Sequence, residues 1–256
     1  MFTLSEWRNK LVALYRARAE LAGRHYATLD DVTPAVPVVR CQQNGNVLDV
    51  YIDGPLDWLF GVDAQEIIAD VRDAKPNQVR AFIDSPGGMV SVGVTLYNFF
   101  QQLRNDGVRV DTANLGMVAS AAIMPFLAGE SRHMPPGTNL MTHEAVIEGM
   151  VFGTRADIKQ QAEEYDVRIA QAASVMAEIY CEGLGCTKAT AEKYFAKEQW
   201  FDAEQALEDK FATTNDRITP SEPSQKPKEE PEPVDESVDP TILALRRGFM
   251  RQELGL

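Results

Sequence analysis

The chain has 256 residues, 45% of them hydrophobic, and its formal net charge is −13. This length and composition allow one core of about 180 to 200 residues plus appendages, so a single enzyme-sized domain is expected. The acidic balance argues against non-specific binding to nucleic acid, because contact with phosphates depends on clustered Lys and Arg. We therefore expect no nucleic-acid partner.

The cysteines and the apolar segments indicate where the protein works. Cys41, Cys181 and Cys186 form an odd set without paired spacing, and residues 1–23 mix charged side chains into their apolar pattern, unlike a signal peptide. The most apolar run, residues 117–129, is shorter than the ~18 to 20 residues of a membrane helix. We expect a soluble protein of a reducing cytoplasm, without a membrane partner.

Local motifs predict neither a cofactor nor a metal. Cys181 and Cys186 have no histidine close by in the sequence, so a tetrahedral zinc site would need distant ligands, and free thiols are expected. The sequence has no G-x-x-x-x-G-K-[ST] loop and no G-x-G-x-x-G after a strand. The chemistry therefore has to come from ordinary side chains.

Both ends of the chain have the composition of appendages. Residues 1–35 include apolar residues at helical spacing, which predicts a helical arm for assembly, a removable pro-segment or a plain surface helix. Residues 215–240 contain an acidic, Pro-rich stretch that cannot bury enough apolar surface to fold, so a disordered linker is expected. Residues 241–256 predict an amphipathic helix that either binds a partner or packs on its own domain.

Strand and helix patterns alternate between these arms, which indicates an α/β domain over residues 36–214. Residues 198–208 are expected to form an extended piece that enters a final helix. The other elements, in chain order, are strands over residues 47–53, 79–84 and 109–116 and up to residue 143, and helices over residues 62–74, 90–104, 120–128, 155–180 and 188–195.

A Pro-Gly-Gly turn links a predicted strand to a predicted helix in the segment FIDSPGGMV, residues 82–90. Paired glycines permit backbone angles and close approaches that side chains forbid, so such a turn can aim amide N–H groups at a substrate. The alternative is a tight turn in which Asp84 or Ser85 caps the helix. The neighbouring motifs have to decide between the two interpretations.

Ser120 is the candidate nucleophile. It lies in GMVASAAIM, residues 116–124, among small residues after a predicted strand and at the start of a predicted helix. In that place its hydroxyl would be exposed, and the amide of Ala121 could stabilise an oxyanion. A serine beside alanines at a helix start also serves as a cap or a small packing residue, so the assignment depends on a base nearby.

His143 is the best candidate for that base. A serine hydroxyl is a poor nucleophile at neutral pH and needs a base within hydrogen-bond reach, usually a histidine oriented by a carboxylate. The other histidines are His25, in the N-terminal arm, and His133, before a Pro-Pro-Gly turn. His143 ends the apolar strand TNLMTH, and strand ends in α/β sheets are where functional side chains emerge.

The order of these motifs resembles the caseinolytic protease ClpP: SPGG, then a serine in G-x-x-A-S, then M-x-H about two dozen residues later. The resemblance runs from about Val38 to Ala212 and is closer to the ClpP-related head maturation proteases of tailed bacteriophages. With these it shares the opening PVVR, residues 37–40, and the ending WFDAEQA, residues 200–206. It implies a ClpP/crotonase-like spiral of strand-strand-helix units with a long handle helix.

The resemblance also implies the roles of individual residues. Ser120 is the nucleophile and His143 the base, and the amides of Gly88 and Ala121 form the oxyanion hole. The third catalytic residue is less clear. ClpP has Asp two residues before the aromatic of the last motif, where this chain has Glu198, and Asp202 is a rival that would instead cap the next helix.

Substrate binding and assembly are implied in the same way. By resemblance, Met89, Val90 and Ser91 would pair their backbone with an extended substrate peptide. The helix after His143 corresponds to the handle that joins two rings, and residues 148–154 to the adjoining flexible strand. A homo-oligomer, as a ring or as stacked rings, is therefore expected.

The implied function is a serine endopeptidase, and more narrowly a prohead protease that cleaves scaffold or capsid protein segments in the bacterial host cytoplasm or inside the phage procapsid. It would cleave its own arms as well, because residues 220–240 are an accessible place for a cut. Three alternatives remain: a housekeeping ClpP-like peptidase, a crotonase-like acyl-CoA enzyme that shares the fold and the two-amide oxyanion hole, and a silent assembly protein.

Overall fold

The fold is taken from a computed structural model, which describes residues 40–57, 61–147 and 154–220. The N-terminal arm, the C-terminal amphipathic helix, all but the first residues of the Pro-rich linker and most of the expected strand over residues 148–154 lie outside these ranges.

Strands and helices alternate along the described chain. The strands are β1 (Arg40–Asn44), β2 (Val47–Asp53), β3 (Gln78–Ser85), β4 (Arg109–Ala119), β5 (Ser131–His133), β6 (Asn139–Thr142) and β7 (Gln199–Phe201). The helices are α1 (Ala64–Ala74), α2 (Val90–Asn105), α3 (Ile123–Leu127), α4 (Arg155–Leu184), α5 (Lys188–Phe195) and α6 (Ala203–Glu208), with a 3-10 turn at Ser120–Ala122 before α3.

The strands form one sheet in the order β1-β2-β3-β4-β6-β7, and β5 also pairs with β4. Strands β2, β3 and β4 are parallel to one another, whereas β1 and β7 run antiparallel at the two edges. Strand β4 pairs with β5 along its first half and with β6 along its second half. This α/β architecture, with its long helix α4, confirms the expected fold class.

Apolar residues that alternate along the central strands bury one face of this sheet. In β2, Leu48, Val50 and Ile52 are almost fully buried. Helix α1 contributes Ile67 and Val71 to the same core, and every residue of α3 is buried. Burying an aliphatic side chain of this size contributes about 1.5 to 3 kcal/mol each, so this core holds the helices on the sheet.

Helix α4 is anchored only by its C-terminal part. Met176, Ile179 and Tyr180 are buried in the core, whereas most residues from Arg155 to Gln171 are exposed. The helix begins with a capping box between Thr154 and Asp157. Such a cap stabilises a helix start by about 1 kcal/mol, so the exposed part is a preformed element.

Along the strands, charged side chains occupy positions between the apolar residues of the core. Asp49 of β2 is fully buried, and its carboxylate accepts bidentate hydrogen bonds from Arg80 of β3 at 2.6 and 2.7 Å. On β4, the carboxylate of Asp111 accepts from Gln78 at 2.7 Å and from Arg109 at 2.8 Å. These pairs tie neighbouring strands together on the side of the sheet that carries few apolar residues.

The Asp111 carboxylate should make folding stability depend on pH in acid. Burial alone would raise its pKa, but the hydrogen bonds from Arg109 and Gln78 outweigh burial and hold the pKa below its usual value. A depressed pKa stabilises the fold above the ordinary Asp value, and this stabilisation is lost as pH falls through the folded-state pKa. Urea unfolding between about pH 5 and about pH 2 should therefore show a smaller loss of stability for Asp111→Asn than for the wild type. Parallel losses in the two proteins would contradict this expectation.

Residues 214–219, near the end of the described chain, contact strand β5 and its neighbours. The N–H of Met134 donates to Thr214 at 3.0 Å, and Arg217 donates to the carbonyl of Pro136 at 3.1 Å. Arg80 reaches the carbonyl of Thr219 at 3.2 Å. The sequence places the domain end at residue 214, and the structure shows contacts with the domain as far as Thr219. Among the helices of the described ranges, none combines the length and apolar character that crossing a bilayer requires.

Candidate active site

Ser120 stands on a sharp turn between β4 and α3. Ala119 is still extended, with φ −124°, whereas Ser120 has φ +54°, in the left-handed region. A residue other than glycine held there costs about 1 to 3 kcal/mol and persists only where its surroundings fix it. The small side chains of Ala119 and Ala121 on either side are both buried. The sequence predicts a plain helix start at this point, and the structure shows a strained turn that presents the side chain.

His143 follows directly after strand β6, and its Nε2 lies 2.7 Å from the Oγ of Ser120. The strand register explains this contact, because Ala119 of β4 pairs with Met141 of β6 just before the two side chains. The imidazole is half-buried. At this distance the serine hydroxyl can donate its proton to a neutral imidazole, which is the geometry of a nucleophile and its general base.

The Pro-Gly-Gly turn packs directly against the serine turn. Gly87 has φ +89°, and a Cβ atom placed on it would lie 2.5 Å from the Cβ of Ser120 and 2.9 Å from the amide nitrogen of Ala121. No side chain larger than hydrogen fits between them. The sequence motif points to Gly88 and gives no role to Gly87, because the contact of Gly87 with Ser120 depends on how two turns far apart in the sequence meet.

Gly88 is also required to be glycine, since its φ is +143° and a Cβ would lie 2.3 Å from the carbonyl oxygen of Leu56. Leu56 donates to the carbonyl of Gly87 and accepts from the N–H of Met89, both at 2.8 Å. In such a parallel bridge the N–H of the residue in between, Gly88, points away from the partner strand. That amide and the amide of Ala121 therefore belong to two turns in close contact.

The backbone from Met89 to Ser91 leads from the glycine turn into helix α2. Val90 and Ser91 lie in the first turn of α2, and Met89 uses its N–H on Leu56 and its carbonyl on Val92 and Gly93. The first N–H groups of a helix have no partner within the helix, so the pairing of Val90 and Ser91 with an extended substrate stays a prediction, whereas the Met89 N–H is already bonded to Leu56. The Met89 side chain is 36% exposed.

The two residues before this turn do not cap helix α2. The Oγ of Ser85 accepts from the N–H of Gly87 at 3.1 Å and so stabilises the glycine turn itself. The carboxylate of Asp84 accepts from the N–H of Met117 at 2.9 Å, at the place where the register between β3 and β4 shifts. Asp84 therefore fixes the irregular end of the strand that leads to Ser120.

Glu198 and Asp202 have different surroundings. The pairing of Thr142 with Gln199 between β6 and β7, continued by one residue, sets Glu198 opposite His143. The Glu198 carboxylate, however, accepts from the Nε1 of Trp200 at 2.9 Å, and both side chains are exposed. Asp202 caps α6 and accepts from the N–H of Gln205 at 2.9 Å. The described residues thus bring Ser120 and His143 together, whereas the Glu198 carboxylate is bound to the indole of Trp200.

His133 takes no part in this cluster. His133 lies in β5, and its Nδ1 is 3.3 Å from the carbonyl oxygen of Asp216. His25 lies outside the described residues. Cys41, Cys181 and Cys186 are free thiols, and the part of the chain that the structure describes holds no group of three or more His, Cys, Asp or Glu arranged as metal ligands.

Comparisons with known proteins identify relatives of this chain. Residues 62–212 match the family model described as Clp protease. The chain is 29% identical over 149 residues to the ATP-dependent Clp protease proteolytic subunit 1 of Leifsonia xyli, across 57% of this chain and 71% of that protein. It is 31% identical over 147 residues to subunit 1 of Corynebacterium jeikeium, across 57% and 73%.

Among solved structures, a ClpP1 point mutant from Listeria monocytogenes is similar, with a TM-score of 0.52 and 22% identity, across 65% of this chain and 89% of that one. At this identity the likeness concerns the fold. The family model covers more than half of the chain, and it spans the glycine turn, Ser120, His143 and Glu198 alike. The chain belongs to the Clp protease family.

Proposed function

We propose that this protein is a serine endopeptidase of ClpP type, in which Ser120 attacks the substrate carbonyl and His143 accepts the serine proton. The contact of 2.7 Å between His143 Nε2 and Ser120 Oγ carries the proposal. A crotonase-like acyl-CoA enzyme would not need this pair, and a silent assembly protein would not have to keep the strained serine turn.

The reaction would proceed through an acyl-enzyme. As Oγ bonds to the carbonyl carbon, the proton moves to Nε2, and the negative charge on the carbonyl oxygen is met by the amides of Gly88 and Ala121. The imidazolium then donates its proton to the leaving amine, and the peptide bond breaks. Water repeats the sequence with His143 as base and releases the acid.

Glu198 is the proposed partner of the His143 Nδ1. Residues opposite each other on antiparallel strands have Cβ atoms about 4.5 to 5.5 Å apart, so rotation of the Glu198 side chain away from Trp200 would bring its carboxylate to the ring. Asp202 is a poorer choice, since its carboxylate is engaged at the start of α6. A carboxylate on Nδ1 would orient the imidazole and stabilise the imidazolium.

We further propose that the protein works as a homo-oligomer, as a ring or as stacked rings. The exposed part of α4 carries the apolar side chains of Ile158 and Val167, which are 46% and 58% exposed. Apolar side chains that are exposed on a preformed helix favour an association in which another copy of the chain buries them. Association would also enclose the site and limit it to chains that can enter.

Protein segments that are unfolded or loosely held are the proposed substrates. The narrower assignment, a prohead protease acting on scaffold or capsid proteins and on residues 220–240 of its own chain, rests on the likeness of the motif WFDAEQA, residues 200–206, to phage head maturation proteases. The second candidate, a housekeeping peptidase, is favoured by relatives whose names describe proteolytic subunits of an ATP-dependent Clp protease.

A fluorophosphonate probe tests the chemistry, because it phosphonylates only a serine that its surroundings have activated. We expect the assembled protein to be labelled at Ser120, as located by mass spectrometry. Ser120→Ala should abolish the label, and His143→Ala should slow it by at least about 100-fold. Equal labelling of wild type and His143→Ala, or a label elsewhere, would contradict the proposed pair.

Intact mass of the purified protein separates the two candidate roles. A maturation protease is expected to shorten its own chain within residues 220–240 over time, and the Ser120→Ala variant should keep its full length under the same conditions. A wild type that cleaves short peptides but stays intact would favour the housekeeping role.

A further inference from the structure

One backbone carbonyl links the two strand ends that carry the base and the proposed acid. The carbonyl oxygen of Tyr194 accepts a hydrogen bond from the Oγ1 of Thr142 and a second one, of 2.6 Å, from the Nε2 of Gln199. Thr142 directly precedes His143, and Gln199 directly follows Glu198. Thr142, Tyr194 and Gln199 are called the carbonyl clamp below.

The carbonyl is available because Tyr194 lies in the last turn of α5, where carbonyls have no partner within the helix. Contacts of the Tyr194 side chain hold this carbonyl in place. The Tyr194 ring packs edge-on against Phe211, with centroids 5.0 Å apart, and its hydroxyl donates to Asp209 at 3.1 Å. The ring also lies 6.0 Å from that of Phe201 in β7, so the acceptor of the clamp is held by aromatic packing in the core as well as by its own helix.

The carbonyl clamp lies at the end of the regular pairing between β6 and β7, directly before the candidate active site. The ladder between β6 and β7 ends with the pair Thr142 and Gln199, so His143 and Glu198 lie just beyond the regular strand pairing. Thr142 is fully buried, and Gln199 makes a further hydrogen bond of 2.8 Å to the carbonyl of Lys193. A shift of either strand end would move a catalytic side chain by the same amount.

We infer that Thr142 and Gln199 are positioning residues for the hydrolytic reaction, acting through the Tyr194 carbonyl to hold His143 against Ser120 and Glu198 beside His143. This inference rests on the proposed function, since it assigns a role within that site. Neither side chain touches the Ser120 hydroxyl. Both act on the placement of the imidazole, and a displacement of the imidazole by about 1 Å lowers the reaction rate by up to about 100-fold.

Two substitutions of Thr142 separate positioning from packing. Thr142→Val keeps the buried volume and removes the hydroxyl, whereas Thr142→Ser keeps the hydroxyl and removes a buried methyl group. We expect Thr142→Val to lower kcat on a peptide substrate by about 10-fold, with KM little changed. We expect Thr142→Ser to keep kcat within about 2-fold while melting at a lower temperature. A purely structural role predicts the reverse order, with activity following the melting temperature.

Gln199→Met tests the second arm of the clamp, since it keeps the length of the side chain and removes the donor. Its loss of kcat should be similar to that of Thr142→Val. In the double variant the two losses should not add, because both single changes release strand ends from one carbonyl. Independent, additive losses would show that the two side chains act separately and would overturn the clamp.

The rate of phosphonylation of Ser120 provides a reading that needs no substrate, and it separates two kinds of failure. If wild-type Ser120 is not labelled, the proposed function fails. If the wild type is labelled and Thr142→Val reacts at the same rate, the proposed function stands and the positioning role is wrong. The expected result is labelling about 10-fold slower in Thr142→Val and Gln199→Met than in the wild type and Thr142→Ser.

Discussion

Ser120→Ala is expected to abolish peptide hydrolysis, with a loss in kcat of at least about 10⁴-fold, while the fold is kept. The change removes one oxygen from a side chain that stands on the turn after β4 and whose contact is with His143. Alanine also relieves no clash and creates no cavity in the core. Hydrolysis of a fluorogenic peptide and thermal unfolding, measured on the same preparation, check both parts of the expectation.

His143→Ala should cost about as much as Ser120→Ala, and the double variant should be no slower than either single one, because the two residues act as a unit. The His133→Ala variant is the matched control, since His133 lies in β5 and its ring contacts the carbonyl of Asp216. Losses in the two active-site variants that multiply in the double variant would mean that the 2.7 Å contact has no catalytic meaning.

Gly87→Ala is expected to destroy the site and to weaken the fold. The new Cβ would lie 2.5 Å from the Cβ of Ser120 and 2.6 Å from the carbonyl oxygen of Ala119, both in a turn that cannot give way. The left-handed φ of +89° adds backbone strain to the overlap. Together these effects should lower the free energy of unfolding by about 2 to 5 kcal/mol and activity by at least about 100-fold.

Gly107→Ala is the matched control, because Gly107 has nearly the same φ, +83°, but open space around the position of a Cβ. It should cost only the backbone strain, about 1 kcal/mol, and leave peptidase activity unchanged. Urea unfolding and peptide hydrolysis of the two variants compare strain alone with strain plus overlap. Equal behaviour of the two would refute the packing of Gly87 against Ser120.

The regular elements could be predicted because their patterns are local. The strand over residues 47–53 and the helix over residues 188–195 match the structure residue for residue. Strands β1 and β5 are absent from the sequence-based assignment, since RCQQN and SRH are short and mainly polar. Such segments become strands only because β2 and β4 present an edge to them, and this is a tertiary effect.

The candidate site likewise has features that the sequence predicts and features that it does not. Ser120 and His143 were predicted from two motifs near each other in sequence, and the structure sets their side chains in contact. The contact between Gly87 and Ser120 could not be predicted, because it depends on how two turns far apart in the sequence meet. The hydrogen bond from Trp200 to Glu198 was also unpredictable, because both side chains are exposed and the choice of partner depends on rotamers.

The place of β7 in the sequence has a consequence for the order in which the protein is made. His143 and the strands on which Ser120 stands precede Trp200 by roughly sixty residues, while β7 adds the last edge of the sheet and brings Glu198. At a translation rate of about 5 to 20 residues per second, that interval lasts about 3 to 12 seconds. During it the nascent chain contains Ser120 and His143 without the strand that follows Glu198. The proposed acid, Glu198, therefore reaches its place only after β7 has paired with β6.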